Sequence, residues 1–511
     1  MKLRLFCFLG CLYLLVGSRE PPWADARVMY ETAVSLVDHR TLEVKFDAPA
    51  FFFSVHDGKK YGLYPMGNTL AIVPSRILYK MLALIPKAPL PLLATLTSHL
   101  SSSLLAAGCC VLFFGLLEQE KVSRRTALLL SLALGTQSIL VIYARVAYSE
   151  ALQAFLFVWL TAIAFRLQRR PTLRDAALGG FAVGWLVTTK AINVLPVGVA
   201  LLWLLWHLRR DPRQLARTVG MAALTALPWA VMTLIVNRIK TGSAFDTGYT
   251  TAGGVPVFSG QFYPALMAYL FSPGRSIFLH SPVLILGLIG LRTYLRAHRA
   301  QAVLVLGMIA AVLLPHLKFP AWPGGWVWGP RYTVAITPLL LLPAAHWLDG
   351  WITQGLGRVR ALALGLLGAA GVLVQALGCA FFWDLYIRMA LALRSPQDET
   401  FVYNATVFVP QLSPIVNHAW LAWHKLMGAV KMPPEPPFHT VVAFIPPNIG
   451  DHYRSLRFDF WFLQWFGAGG ARAWAVALLG LLVLGLLWSA LGIAQGLRAV
   501  PAPSPARRLA R

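Results

Sequence analysis

Apolar runs long enough to cross a lipid bilayer as helices recur along this chain of 511 residues. About 18 to 20 apolar residues span the hydrocarbon core as an α-helix. The alternating pattern of a β-barrel is absent, and backbone in lipid must satisfy its own hydrogen bonds, which leaves helices as the spanning elements. Hydrophobic residues make up 57% of the chain and charged residues only 13%. The sequence therefore predicts an all-α polytopic membrane protein.

The apolar runs predict about twelve spans. The first, at residues 3–18, follows a basic start, and we expect a retained span rather than a signal peptide because no clear small-residue cleavage site follows. The run 69–87 is broken by Pro74 and Pro86 and is expected to lie at the membrane interface. The predicted spans are 3–18, 92–117, 126–143, 150–167, 176–189, 191–208, 217–237, 278–295, 301–318, 332–351, 361–383 and 471–494.

Arginine clusters orient these spans. A formal net charge of +25 first suggests nucleic-acid binding. However, the arginines gather at span ends, as they do in the cytoplasmic loops of membrane proteins, so no nucleic-acid partner is expected. With both termini in the cytoplasm, every short Arg-rich loop falls on one side, which requires two short spans on either side of Lys190. We therefore predict a multi-pass protein of the cytoplasmic (inner) membrane.

This orientation places long segments on the outer, periplasmic face. Residues 1–383 are predicted to form one transmembrane catalytic module that includes the outer segment 19–91. Residues 384–470 form a second outer segment, and 471–511 hold the last span and a basic cytoplasmic tail. Long loops of this kind are where membrane proteins place recognition and chemistry. An active site on the outer face is therefore expected.

Two of the 20 acidic residues are candidates for that site. Asp25 follows the first span in WADARVMYETAVSL, and Glu150 lies in YARVAYSEAL, in a very short outer connection. A carboxylate held at the membrane surface needs a partner or a water-filled cavity. Helix capping, with Ser149 as a possible cap beside Glu150, is the simpler interpretation for either acid alone. Their appearance on one face favours a functional role for both.

Isolated cations on the outer side are the complementary candidates. Lys190 lies between apolar segments in VTTKAINVLP, where burial of its charge would cost about 2.5–3.5 kcal/mol, or where the side chain simply snorkels. Arg331 lies in PAWPGGWVWGPRYTVAITP, and its guanidinium suits phosphate oxygens. Arg275 has similar surroundings in LFSPGRSIFLHSP. His280 and His316, near span ends, are expected to be structural.

Motifs for nucleotide or metal chemistry are absent. The sequence holds no GxxxxGK[ST], no GxGxxG after a strand and no HExxH. Its cysteines lie in apolar runs without metal-ligand spacing to histidine, at Cys7, Cys11, Cys109, Cys110 and Cys379. We therefore expect no metal and no cofactor, and a substrate that is already activated. A lipid-phosphate donor that reaches the site from within the bilayer fits these demands.

The motifs resemble, in order, those of the polytopic glycosyltransferases of the GT-C superfamily. The likeness is to the bacterial branch that uses lipid-phosphate sugars, which includes protein O-mannosyltransferase-like enzymes and the lipid A aminoarabinose transferase. It covers most of the chain through seven short motifs: DARVMYETAVSLVDHRTLEV, DGKKYGLYPMGNTLAIVP, YARVAYSEAL, GWLVTTKAINVLPVGVALLWLL, NRIKTGSAFDTGY, LFSPGRSIFLHSPVLILGLIGL and GGWVWGPRYTVAITPLLLLP.

The resemblance implies a GT-C-like helix bundle with outer-face loop helices and an inverting glycosyl transfer. Asp25 matches the family's catalytic base and Glu150 its second acid. Many relatives carry paired acids after the first span, whereas Ala26 and Arg27 follow Asp25 here. The implied partners are a lipid-linked sugar donor, membrane lipids and a glycan, lipid or protein acceptor. The lipid phosphate and donor are expected at Lys190, Arg331, Arg275, Tyr61 and Tyr64.

Two other functions remain open from the sequence. A lipid or polysaccharide transporter or flippase would also place charges in the membrane, although such proteins often show two similar halves, which this chain lacks. An O-antigen ligase or polymerase would use a diphosphate-linked donor, with Arg275 and His280 as the candidate pair. The sugar, the acceptor and the oligomeric state are not specified by any motif. The sequon Asn404-Ala405-Thr406 is expected to be unmodified.

Overall fold

The computed structural model describes residues 1–248, 258–325, 327–383, 399–427, 457–466 and 469–498. Much of the predicted outer segment 384–470 and the basic tail from residue 499 therefore lie outside the described residues. The first half of the chain contributes α1 Lys2–Leu15, α2 Ala24–His39, α3 Met66–Ala83, α4 Leu90–Gln119, α5 Arg124–Gln137, α6 Leu140–Ala144, α7 Glu150–Arg169, α8 Leu173–Thr189, α9 Val194–Leu208 and α10 Pro212–Thr241.

The second half is also built from helices. They are α11 Phe262–Phe271, α12 Ile277–His280, α13 Ile285–Ala297, α14 Arg299–Leu317, α15 Thr337–Leu341, α16 Ala344–Gln354, α17 Arg358–Ala380, α18 Glu399–Phe408, α19 Pro414–Leu426, α20 Trp461–Trp465 and α21 Arg472–Arg498. Short 3₁₀ turns include Ala191–Asn193 and Arg331–Ile336. The strands of the described residues are β1 Phe53–His56 and β2 Lys59–Gly62.

A helix lies at each of the twelve predicted spans. By length and composition, seven of the described helices are able to cross a membrane: α4, α7, α9 with its preceding turn, α10, α14, α17 and α21. The helices at the other five predicted spans are shorter or broken, as in α15 and α16. The helical membrane architecture is thus confirmed, whereas the count of twelve crossings is not.

The chain breaks at Lys190 into two helices, as the charge pattern predicts. Lys190 itself is extended, with φ −157° and ψ 118°, and the turn Ala191–Asn193 leads into α9. The Asn193 amide donates to the Leu186 carbonyl at 3.0 Å, which satisfies an acceptor at the end of α8. This break places the Lys190 side chain at the end of the bundle rather than at mid-span.

The core of the bundle lies around α4 and α7. Helix α4 packs against α1, α3, α5 and α7, while α7 also packs against α8. Large apolar side chains remain exposed on helices at the periphery of the bundle, including Leu224 of α10 and Leu484 of α21. Such exposure is expected where lipid rather than water surrounds the helices.

The segment 19–91, predicted to be the first outer segment, contains α2, the β1–β2 hairpin and α3. The hairpin turns at Asp57 and Gly58, which both adopt positive φ, and Asp-Gly is a favoured pair for such a turn. After β2 the chain enters α3 at Met66. A Cβ atom at Gly67 would lie within 2.6 Å of the Thr189 backbone, so glycine is required where α3 meets the end of α8. This close contact brings the start of α3 next to Lys190.

Candidate active site

Arg331 joins two carboxylates that are far apart in sequence. Its Nη2 lies 2.7 Å from Oδ2 of Asp25, and its Nε donates to Oε1 of Glu150 at 2.7 Å. The guanidinium carbon also lies 4.3 Å from the ring centroid of Tyr148. The Arg331 side chain is only 8% exposed. Buried, charge-assisted contacts of this kind are strong and fix the geometry of both acids.

Local backbone structure places each member of this cluster. Ala24 has a φ of 47°, a left-handed conformation that turns the chain into α2 just before Asp25. Glu150 is the first residue of α7, so both acids lie in the first turn of a helix, where the helix dipole favours negative charge. Ser149 is the N-cap residue of α7, but neither α2 nor α7 has a side-chain hydrogen bond at its N-cap, so the predicted cap bond is not formed, whereas the first-turn position of both acids agrees with the dipole part of that interpretation.

Tyr64 holds the other oxygen of Asp25. The Tyr64 hydroxyl donates to Asp25 Oδ1 at 2.7 Å, and the buried Lys240 ammonium donates to the Tyr64 carbonyl at 2.7 Å. Lys240 is the penultimate residue of α10. The turn from the hairpin into α3 is therefore tied to α10 on one side and to Asp25 on the other. Both oxygens of Asp25 have partners.

The Lys190 ammonium lies beside the cluster and makes no hydrogen bond to any described residue, although the Lys190 backbone bonds to Leu186 and Asn193. Its Nζ lies 4.4 Å from the ring centroid of Tyr332, the residue after Arg331. Burial lowers the pKa of Lys190 to about 8, with Arg331 adding to the effect and the two acids opposing it. In the described site, Lys190 is thus the cation available to an anionic ligand.

The two acids differ in how fully their carboxylate oxygens are hydrogen-bonded. Burial raises the pKa of the Asp25 carboxyl, but the positive charge of Arg331 and the Tyr64 hydrogen bond outweigh this and lower it overall. Asp25 is therefore ionised at neutral pH. Glu150 is 1% exposed, and its Oε2 has no hydrogen-bond partner among the described residues. A buried oxygen without a donor is costly, so Oε2 is a place where a ligand hydroxyl would be favoured.

Two residues predicted to bind the donor lie outside this cluster. Arg275 is fully buried and donates to the carbonyls of Pro323, Gly274 and Gly325 at 2.8–3.1 Å, so it holds the loop before Arg331. Tyr61 pairs with Ser54 in the hairpin, and none of its described contacts reaches the acids. His280 Nδ1 lies 3.0 Å from the Ser276 carbonyl, a structural contact.

Three members of the site were not predicted from the sequence: Tyr148, Tyr332 and Lys240. Tyr148 is two residues before Glu150, and Tyr332 follows Arg331, so both lie in motifs that already pointed to the site. Lys240 lies in NRIKTGSAFDTGY. Among the described residues, no group of three or more His, Cys, Asp or Glu side chains is placed to hold a metal ion.

The fold matches that of a solved membrane transferase. The apo structure of ArnT from Cupriavidus metallidurans aligns with a TM-score of 0.50 and 15% identity over 94% of this chain and 77% of that one. This chain has a GT-C fold. ArnT is an aminoarabinose transferase, and the resemblance read from the motifs is confirmed at the level of the fold.

Other GT-C structures align less closely. ArnT bound to undecaprenyl phosphate gives a TM-score of 0.48 and 16% identity over 95% of this chain and 77% of that one. The oligosaccharyltransferase AglB from Archaeoglobus fulgidus, in complex with an inhibitory peptide and a dolichol-phosphate, gives 0.44 and 10% over 81% and 60%. No protein family model and no curated protein matches the sequence.

Proposed function

We propose that this chain is a membrane glycosyltransferase that moves a sugar from a polyprenyl-phosphate donor to a hydroxyl group. The acceptor is a glycan, a lipid or a protein, and the reaction takes place on the outer face of the cytoplasmic membrane. The single observation that carries the proposal is the buried Asp25–Arg331–Glu150 cluster with Lys190 beside it, whose ammonium has no ion-pair partner among the described residues. Perturbed, convergent charges of this kind are typical of active sites.

Asp25 acts as the general base. The acceptor hydroxyl approaches the ionised carboxylate and attacks the anomeric carbon of the donor, while its proton passes to Asp25. The bond between the anomeric carbon and the phosphate oxygen breaks, and its electron pair leaves with the polyprenyl phosphate. Because attack and departure occur on opposite faces of the sugar, the configuration inverts. A positioned base typically contributes about 10²–10⁴-fold to the rate.

Lys190 stabilises the departing phosphate. Charge grows on the phosphate oxygen in the transition state, and a fixed cation in a site of low polarity stabilises it without a metal ion. Arg331 is already engaged by Asp25 and Glu150, so its main role is to hold the two acids at a fixed separation. This division of roles sharpens the expectation from sequence, in which both cations bind phosphate directly.

Glu150 orients the substrate. Its Oε2 is the open acceptor of the cluster, suited to a hydroxyl of the sugar or of the acceptor. The pair that the ligase alternative requires, Arg275 and His280, binds main-chain carbonyls instead. Transfer from a monophosphate donor is therefore the function that the geometry supports best.

Mass spectrometry of cell-envelope glycans and lipids tests this proposal. Cells with and without the protein are compared, and the polyprenyl-phosphate pool is measured in the same extracts. We expect loss of one sugar mass from one envelope component, together with accumulation of the corresponding polyprenyl-phosphate sugar. An unchanged set of glycans and lipids in cells that lack the protein would refute a transferase.

A further inference from the structure

Another buried carboxylate, Asp459, joins three segments of the chain, two of which lead into the candidate site. Both of its oxygens accept the Ser18 hydroxyl, at 2.8 and 2.9 Å, and Oδ1 also accepts the Arg19 backbone N–H at 3.0 Å. Oδ2 pairs with Nη2 of Arg145 at 2.9 Å. The Asp459 side chain is 2% exposed and that of Arg145 is fully buried. These contacts link residues more than 300 positions apart.

The segment that carries Asp459 is also fixed by backbone contacts. The Asp459 N–H donates to the Ala380 carbonyl at 2.8 Å, at the end of α17. The Trp461 indole donates to the Leu14 carbonyl at 2.8 Å, at the end of α1. Arg145 donates a further bond to the Cys379 carbonyl at 2.9 Å. Residues 457–466 are thus held between the ends of α1 and α17.

Each residue that Asp459 holds precedes a member of the candidate site. Ser18 lies seven residues before Asp25, and Arg145 lies five residues before Glu150 and three before Tyr148. Trp23, Ala26, Arg145 and Tyr148 line a common cleft, so the segments that Asp459 holds meet close to the site residue Tyr148. The relative position of the two acids around Arg331 therefore depends on the contacts made by one buried carboxylate.

We infer that Asp459 is a positioning residue for glycosyl transfer, acting through Ser18 and Arg145 to set the separation of Asp25 and Glu150. This inference rests on the proposed function. Asp459 lies near the C-terminal end of the predicted outer segment 384–470. That segment would therefore help to position the active-site residues, although it contributes no described side chain to the Asp25–Glu150–Arg331 cluster. A displacement of about 1 Å at reacting groups can cost about 100-fold in rate.

Two variants separate positioning from simple stabilisation. Asp459→Asn leaves the Arg145 charge buried and unpaired and removes one of the two oxygens that accept the Ser18 hydroxyl, which destabilises the fold and loosens the Ser18 segment. The double variant Arg145→Met/Asp459→Leu removes both charges, and apolar replacement of a buried pair is often neutral for stability. The double variant still lacks the acceptor for Ser18 and Arg19. Glu120→Gln, which breaks a buried acid's pairing with Arg169 away from the site, is the matched control.

Four measurements are made on the full chain. Transferred sugar per protein molecule is measured by envelope mass spectrometry in cells that lack the native protein. Binding of undecaprenyl phosphate, the probe for the Lys190 region, is measured with purified protein in nanodiscs. Hydrogen–deuterium exchange of residues 18–30 and 145–151 is measured in the same nanodiscs, and the melting temperature is recorded for each variant.

We expect both Asp459 variants to lower transfer by about 10- to 100-fold and to raise exchange at residues 18–30. Binding of undecaprenyl phosphate should persist, and the double variant should recover the melting temperature without recovering transfer. Glu120→Gln should leave transfer unchanged. Transfer at the level of the native protein in the double variant would overturn the inference.

The two proposals fail in different ways. If the native chain restores the sugar, Asp25→Asn does not, and the Asp459 variants do, then the transferase stands and the role of Asp459 is refuted. If the native chain restores no sugar, the proposed function is refuted, and the role of Asp459 falls with it.

Discussion

Both ends of the helix bundle hold carboxylate–arginine pairs, but the two ends use them differently. At the candidate site, Arg331 is 8% exposed and lies between two acids. At the opposite end, Arg166 pairs with Asp175 while 37% exposed, and Arg169 pairs with Glu120 while 43% exposed. Partly exposed pairs such as Arg166–Asp175 typically contribute about 0–1 kcal/mol, whereas the Glu120 side chain is buried, at 2% exposed. Residue type alone therefore does not separate a functional cluster from a structural one.

The acids of the opposite end complete helix termini. Asp349 of α16 accepts the Ser123 backbone N–H at 3.2 Å and the Thr126 hydroxyl at 2.7 Å, which fixes the start of α5. Thr172 caps α8 and shares its hydroxyl with Asp175. Asp25 and Glu150 also begin helices, but both bind one buried arginine, Arg331, which comes from a distant segment. The convergence of two acids on a single buried arginine, with Lys190 beside them, distinguishes the candidate site from the opposite end.

Replacement of one acid at each end gives the largest expected contrast. Asp25→Asn removes the base and should lower transfer by about 10²–10⁴-fold, whereas Asp175→Asn at the opposite end should leave it unchanged. The readout is transferred sugar per protein molecule, measured by envelope mass spectrometry. Asp175→Asn controls for loss of a half-buried ion-paired aspartate. Full activity in Asp25→Asn, with normal protein amount, would remove Asp25 from the mechanism.

Lys190 provides the next contrast, because its ammonium makes neither a hydrogen bond nor an ion pair with any described residue, whereas Lys240 is bound to the Tyr64 carbonyl. A hydrogen bond to a charged group is worth about 1.5–3 kcal/mol, so Lys190→Met should weaken binding of undecaprenyl phosphate by about 10- to 100-fold. The measurement is a dissociation constant in nanodiscs. Arg166→Met, which removes a paired arginine at the opposite end, is the control and should bind normally. Equal affinity in Lys190→Met and the native chain would assign the phosphate to another residue.

Because Lys190 is ionisable, the contribution of Lys190 to binding of undecaprenyl phosphate should depend on pH. Because burial lowers its pKa to about 8, the ammonium is charged below that pH and loses its proton as pH rises through it. Binding of undecaprenyl phosphate should therefore fall with rising pH above about 8. Asp25, with a lowered pKa, stays ionised throughout this window. In Lys190→Arg the guanidinium remains charged, so the decline should move to higher pH; an unmoved decline would assign it to another group.

The helices, and the proximity of Asp25, Glu150, Lys190 and Arg331, could be predicted from sequence because their signals are local. Apolar runs gave the helices, and arginine placement put Asp25, Glu150, Lys190 and Arg331 at one end. The contact between Arg145 and Asp459 could not be predicted, since it depends on packing between segments 314 positions apart. The contacts of Arg275 could not be predicted either. Its motif resembles that of Arg331, but in the folded loop its donors bind main-chain carbonyls.

The smallest effect is expected from a substitution at the end of the bundle opposite the candidate site. Asp349→Ala removes the acceptor for Ser123 and Thr126 at the start of α5 and should destabilise the fold by about 0.5–2 kcal/mol, as loss of a helix cap does. Thermal unfolding in detergent should show a slightly lower midpoint, while transfer by the folded protein stays normal. Ser123 retains its own hydrogen bond to Thr126, which limits the loss. A tenfold fall in transfer at temperatures where the variant is folded would instead couple the two ends of the bundle, and the opposite end could then no longer be called structural.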